Sequence, residues 1–173
     1  MANLALAPAR YSYSQGLYST GVDFSQHEAA TQTFSDGALV VMSGGNCQQC
    51  GANPTRIDGV AIGPGHNDTT AGTHNVMFTL PNEDMIYEFS IDQASSQASA
   101  TAVLAQTDVG TTIGVTLDTI GASPAGTPLY WYADVDKKAA NQRLLIIGFP
   151  VWSPAGTVNG RVWVKFLQAQ VLQ

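Results

Sequence analysis

The feature that most constrains this chain is the shortness and regular spacing of its apolar segments. From Asp36 onward, "ALVVM", "IDGVAIG", "HNVMFTL", "MIYEFSI", "TIGVTLDTI", "LYWYADV", "RLLIIGFPV" and "RVWVKFLQAQVL" follow one another, separated by Gly, Pro, Asn and Asp. Each is rich in β-branched and aromatic residues and of strand length, and the residues between them favour turns. Two segments alternate cleanly. In "MIYEFSI", Ile86, Glu88 and Ser90 take one face and Tyr87, Phe89 and Ile91 the other. In "RVWVKFL", Val162, Val164 and Phe166 oppose Trp163, Lys165 and Leu167. Residues 36–173 are therefore expected to form an all-β domain, a small β-barrel or β-sandwich of short antiparallel strands. One stretch interrupts the pattern: "DQASSQASATAVLAQTD" mixes helix-favouring Ala with Ser, which competes for backbone hydrogen bonds, and reads as a loop.

Residues 1–35 differ in kind. Tyr11, Tyr13, Tyr18 and Phe24 are scattered among Ser, Gln, Ala and Thr, with no helical stripe and no long strand alternation. The segment reads as an extended N-terminal arm, either a tail in the free protein or a strap lying on another subunit. The spaced tyrosines favour the strap, because each offers a large apolar face and a hydroxyl. These four aromatics are candidate partner contacts.

A length of 173 residues suits one domain with its own core. Charged residues make up only 12% of the chain, against roughly a quarter in typical soluble proteins, so the surface suits burial in an assembly. The net charge is −6, and the seven basic residues are dispersed instead of clustered. That distribution argues against direct nucleic-acid binding, which requires a concentrated basic patch. No segment approaches the roughly 18 apolar residues that would cross a membrane. The opening "MANLALAPARYSYSQGLYSTG" has no basic region ahead of its short apolar run, unlike a secretion signal. Synthesis in a reducing cytoplasm is the expectation.

Chemistry-bearing patterns are few. Cys47 and Cys50 form a Cys-x-x-Cys pair in "SGGNCQQCGANPT". A redox site would place such a pair at a helix start, whereas Gly51, Ala52, Asn53 and Pro54 break a helix. The pair also has the spacing of half a zinc site, with His66 and His74 downstream, but seven residues separate the histidines instead of the usual three to five. A turn with two incidental thiols is the favoured reading, so no metal and no cofactor are assigned. There is no Gly-x-Ser-x-Gly elbow, "GPGHND" reads as a tight turn, and "SGGNCQQCG" lacks the ending of a phosphate loop. No catalytic residue is assigned, and the chain is not expected to be an enzyme. In "LYWYAD", a strand must present Trp131 on one face and Tyr130 and Tyr132 on the other. Most such aromatics pack cores, but Trp131 is also a candidate contact for a protein or sugar.

Taken in order, these segments resemble the head decoration, or cement, proteins of tailed bacteriophages. "TFSDGALVVMSGGNCQQCGANPTRIDGVAIGPG" is similar to the opening of that family, in which an apolar strand and a short turn lead into a "GANPT-x-I-x-GVA" segment. Gly51, Ala52, Asn53, Pro54, Thr55, Ile57, Gly59, Val60 and Ala61 match it. "FTLPNEDMIYEFSI", "TDVGTTIGVTLD", "LYWYADV" and "RLLIIGFPV…NGRVWVKFLQAQVLQ" continue the likeness across residues 34–173. Cys47 and Cys50 are not expected as hallmarks of the family, and the arm lies outside the matched region. The resemblance implies a structural protein on the outer surface of the virion. It would bind the major capsid protein, stabilise contacts between its subunits, and associate with itself as a dimer or trimer. Two other classes compete: a carbohydrate- or host-surface-binding β module drawing on "LYWYAD", with Trp131, and on any tryptophan that proves exposed, and a zinc-dependent hydrolase using Cys47, Cys50 and a histidine.

Overall fold

The computed structural model describes residues 10–14, 23–51, 54–81, 85–92, 102–117, 131–135 and 142–167. They form eleven strands in two sheets. In chain order the strands are β1 (Arg10–Ser14), β2 (Asp23–His27), β3 (Leu39–Ser43), β4 (Asn46–Gln49), β5 (Gly59–Ile62), β6 (Asn75–Thr79), β7 (Met85–Asp92), β8 (Thr112–Leu117), β9 (Trp131–Asp134), β10 (Gln142–Gly148) and β11 (Arg161–Phe166). A single 3-10 turn, Gln106–Asp108, is the only helical element among the described residues. The expected all-β architecture is observed.

The first sheet runs β1-β7-β11-β10-β8-β9, and β9 pairs back in parallel onto β7 to close a five-stranded barrel. Strand β7 makes this possible by its length. Tyr87 and Glu88 pair with both β1 and β11, and Ser90 pairs with both β11 and β9. Hence β1 and β9 share one edge of β7, end to end, while β11 takes the other. Register shifts at Gln142/Leu144 and Ile146/Gly148 in β10 mark bulges, which sharpen the bend that so small a barrel demands. The predicted inward faces are buried, with Tyr87, Phe89, Ile91, Val162, Val164 and Phe166 all in the interior. In β7, however, Ile86 and Ser90 of the opposite face are buried as well, so the alternation holds in β11 and not in β7. The Phe166 ring meets Tyr87 edge-on at 5.0 Å and Phe89 at 6.1 Å, geometries that add to simple burial.

The second sheet is antiparallel, in the order β2-β6-β5-β3-β4. Strands β3 and β4 are joined by Gly44 and Gly45 at φ 57° and 80°. These left-handed conformations build the tight hairpin turn that matches strand twist, and glycine adopts them without a Cβ clash. Just after β2, Glu28 bridges to Cys47 and the Ala29 N–H donates to the Cys47 carbonyl at 2.9 Å. The sheet therefore curls until its two edge strands meet at one point.

One core spans both sheets, from Phe34, Leu39, Val40, Ile57 and Phe78 to Tyr87, Trp131, Leu144 and Val164. Described parts of the segment expected as an extended N-terminal arm pair with this chain's own strands. Backbone of β1 pairs with β7, β2 pairs with β6, and Phe34 is buried. It is extended, as expected, and its described strands lie on this chain's own sheets. Tyr18 lies outside the described residues. The Ala/Ser/Gln-rich stretch is described only from 102 onward, where it is irregular up to the 3-10 turn.

Candidate functional site

The cysteine segment proves to be a strand instead of a turn: Cys47 sits in β4 opposite Met42, and Cys50 follows the strand end. Both thiols are free and buried. Burial pushes the Cys47 thiol up to about 12, with the Glu28 and Asp58 carboxylates adding to the shift. Cys50 is raised by burial, then by Asp58 and Cys47, with Arg56 opposing. Its Sγ donates to the Arg56 carbonyl at 3.5 Å. Redox attack and metal ligation both need thiolate, and this environment favours the neutral thiol.

The two histidines named with the cysteines are drawn into the same region. The buried Glu28, 3% exposed, accepts from the His66 backbone N–H at 2.8 Å and from His66 Nδ1 at 2.6 Å. His74 Nδ1 pairs with Asp68, and the His66 and His74 rings stack 4.3 Å apart at 10°. Nearly parallel rings send their in-plane lone pairs side by side instead of toward one point. Tetrahedral ligation needs convergence. Among the described residues, no three His, Cys, Asp or Glu side chains are grouped to hold a metal ion. The arrangement works instead as a clip. Backbone bonds Glu28 N–His74 O, Thr31 N–Asp68 O, Asn67 N–Gln32 O and Gly65 N–Phe34 O, at 2.6–2.9 Å, lace residues 28–34 to the β5–β6 loop. Glu28 caps that seam.

The "PTRIDG" segment is likewise structural. Arg56 Nε donates to Asp58 Oδ1 at 2.6 Å, and Asp58 Oδ2 accepts from the Met42 N–H at 2.7 Å. The Arg143 guanidinium reaches across from β10 to the Thr55 carbonyl, tying barrel to curled sheet.

The candidate contact residues fall in different places. Trp131 is 1% exposed in the barrel wall, so the structure removes it as a contact: β9 pairs on both edges, and its ring packs the core. Tyr11 and Tyr13 belong to β1, at the edge of the first sheet. Phe24 in β2 is 37% exposed and stacks on Phe78 at 6.0 Å. Tyr11 and Tyr13 thus lie on a strand of the first sheet and Phe24 on a strand of the second. Sequence reasoning placed Trp152 only in a later strand or turn; it lies in the β10–β11 loop, where Val151 and Trp152 project into solvent. The signal was present in Pro150 and "SPAG", which mark turns on both sides of Val151-Trp152. It was masked by reading "RLLIIGFPV" as strand to its end, whereas β10 stops at Gly148.

No helix among the described residues is long and apolar enough to cross a membrane. No family model, curated protein or solved structure matches the chain.

Proposed function

We propose that this protein is a capsid decoration protein, a binding module that reinforces an assembled phage head from outside and carries out no catalysis. The observation that supports the reading is the ordered series of cement-protein-like segments across residues 34–173, which coincides with the strands of one continuous core. The most family-like of them, "GANPTRIDGVA", does core-building work: Pro54, Ile57, Val60 and Ala61 are buried, and Arg56 and Asp58 clamp the fold.

The physics of such a role fits the chain. A protein that binds only the assembled shell stabilises it by mass action, and repeated copies around the lattice multiply the effect. Low charge density suits surfaces that become buried against a partner. Partners would be the major capsid protein and further copies of this chain, and the site of action the outer virion surface. With Trp131 buried, the carbohydrate-binding reading would rest on the exposed Trp152 instead.

The test is co-sedimentation of the purified protein with capsids assembled without it, followed by heating or osmotic shock. The reading expects saturable binding and a higher temperature of DNA release. Shells that neither bind the protein nor gain stability from it would sink the reading.

A further inference from the structure

Among the described residues, the two most exposed large apolar side chains are neighbours: Val151 at 93% and Trp152 at 62%. They occupy the central positions of a turn closed by the Ser153 N–H donating to the Pro150 carbonyl at 2.9 Å. The turn is rigidly mounted. Ser153 is fully buried, and its Oγ accepts from the Arg161 N–H at 2.8 Å. Further along, Gly156 N–H donates to Leu104 O at 2.8 Å and Asn159 N–H to Ala102 O at 2.9 Å. Val103, itself exposed, lies between those two acceptors and adds apolar surface to the loop's flank. A tryptophan held out on a braced turn contributes nothing to this chain's own core. It meets a partner without the ordering cost of a flexible loop.

We propose that the Val151–Trp152 turn is a preformed anchor that inserts into an uncharged apolar cleft on a protein. The proposal rests on the decoration reading, under which that cleft lies on the outer face of the capsid shell. Charge favours a protein surface over an anionic membrane as the occupant. Residues 144–160 contain no ionisable side chain. The cations that flank the loop are engaged: Arg143 donates to Thr55 O, and Arg161 is buried beside Glu88 at 3.7 Å. A membrane-docking tip on a chain of net charge −6 would need free basic residues to hold anionic headgroups. A convex, uncharged Trp-tipped turn instead matches the buried aromatic anchors that dominate protein interfaces.

The test uses the full chain, wild type and Trp152→Ala, against shells assembled without it. Circular dichroism first establishes that the variant melts like wild type, as expected for a side chain outside the core. Trp152→Ala is expected to bind roughly 30-fold more weakly or worse, the range of a central aromatic anchor. Wild-type fluorescence should shift to the blue on binding, and the variant's should not. Wild-type binding with Trp152→Ala within about threefold of it overturns the anchor and leaves the decoration reading standing. Failure of wild type itself to bind overturns both. Two further arms address other occupants: phosphatidylcholine–phosphatidylserine vesicles, and sedimentation velocity of the protein alone. Trp152-dependent vesicle binding, or Trp152-dependent self-association without shell binding, would overturn a capsid cleft as the occupant.

Discussion

Replacing Glu28 by Ala tests whether the seam between residues 28–34 and the β5–β6 loop is held by the carboxylate at its end. Glu28 is buried and accepts two hydrogen bonds from His66, at 2.8 and 2.6 Å. A bond to a charged group contributes roughly 1.5–3 kcal/mol. Removing the carboxylate also relieves its own desolvation, and His66, partly exposed, regains water on one side. A net loss of about 3 kcal/mol follows, which in a domain of this size lowers Tm by roughly 6–12 °C. Thermal unfolding followed by circular dichroism reads the global effect. Hydrogen exchange reads the local one: the amides of Thr31, Gly65 and Asn67 should lose protection before those of β7 and β11. The matched control is Asp36→Ala, which removes one exposed carboxylate accepting from the Gly63 N–H at 3.1 Å. It should cost less than about 1 kcal/mol. A Glu28→Ala Tm within 2 °C of wild type would refute the reasoning.

Both thiols should resist Ellman's reagent at pH 8 in the native protein and react in stoichiometric amount in denaturant. Because the folded Cys47 thiol is pushed up to about 12, the neutral form favours the fold. That stability is complete below an unfolded thiol pKa of about 8.5 and is lost as pH climbs toward the folded value, at up to about 1.4 kcal/mol per unit. Stability should therefore fall across pH 9–11, and less steeply in Cys47→Ala/Cys50→Ala. Gly59→Ala would set a Cβ 2.5 Å from Phe78 Cδ2 and 3.2 Å from Val40 Cγ2, an overpacking expected to cost about 1–3 kcal/mol in denaturant melts. Trp131→Ala should cost about 3–5 kcal/mol in the same assay, as a buried core residue does, and a stability unchanged from wild type would contradict its placement in the barrel wall.

The legible part of this fold was the part built from apolar repetition. In "RVWVKFL" every second side chain, Val162, Val164 and Phe166, is buried, so periodicity locates β11 and assigns its faces. "MIYEFSI" is located by its apolar run, because Ile86 and Ser90 are buried along with Tyr87, Phe89 and Ile91. Strand β4 was hidden because "NCQQ" has no strand-like composition. It is a strand because the Gly44–Gly45 turn folds it back on β3, a signal overshadowed by the two cysteines. Strands β1 and β2 had only short alternations, Tyr11-Ser12-Tyr13 among them, and their partners β7 and β6 decide their fate. The Glu28–His66 contact joins residues 38 positions apart, which no local pattern encodes. Trp131 and Trp152 illustrate the same limit from opposite sides. Turn residues on both sides of Trp152 mark its loop in the sequence, but only topology buries Trp131 and leaves Trp152 displayed.

The most direct test of the decoration account is electron microscopy of phage heads with and without this protein, compared at matched resolution. The account predicts difference density confined to the outside of the shell, over junctions between capsid subunits, sized for this β body. Heads of identical density in the two preparations, or density only inside the shell or on the tail, would contradict it.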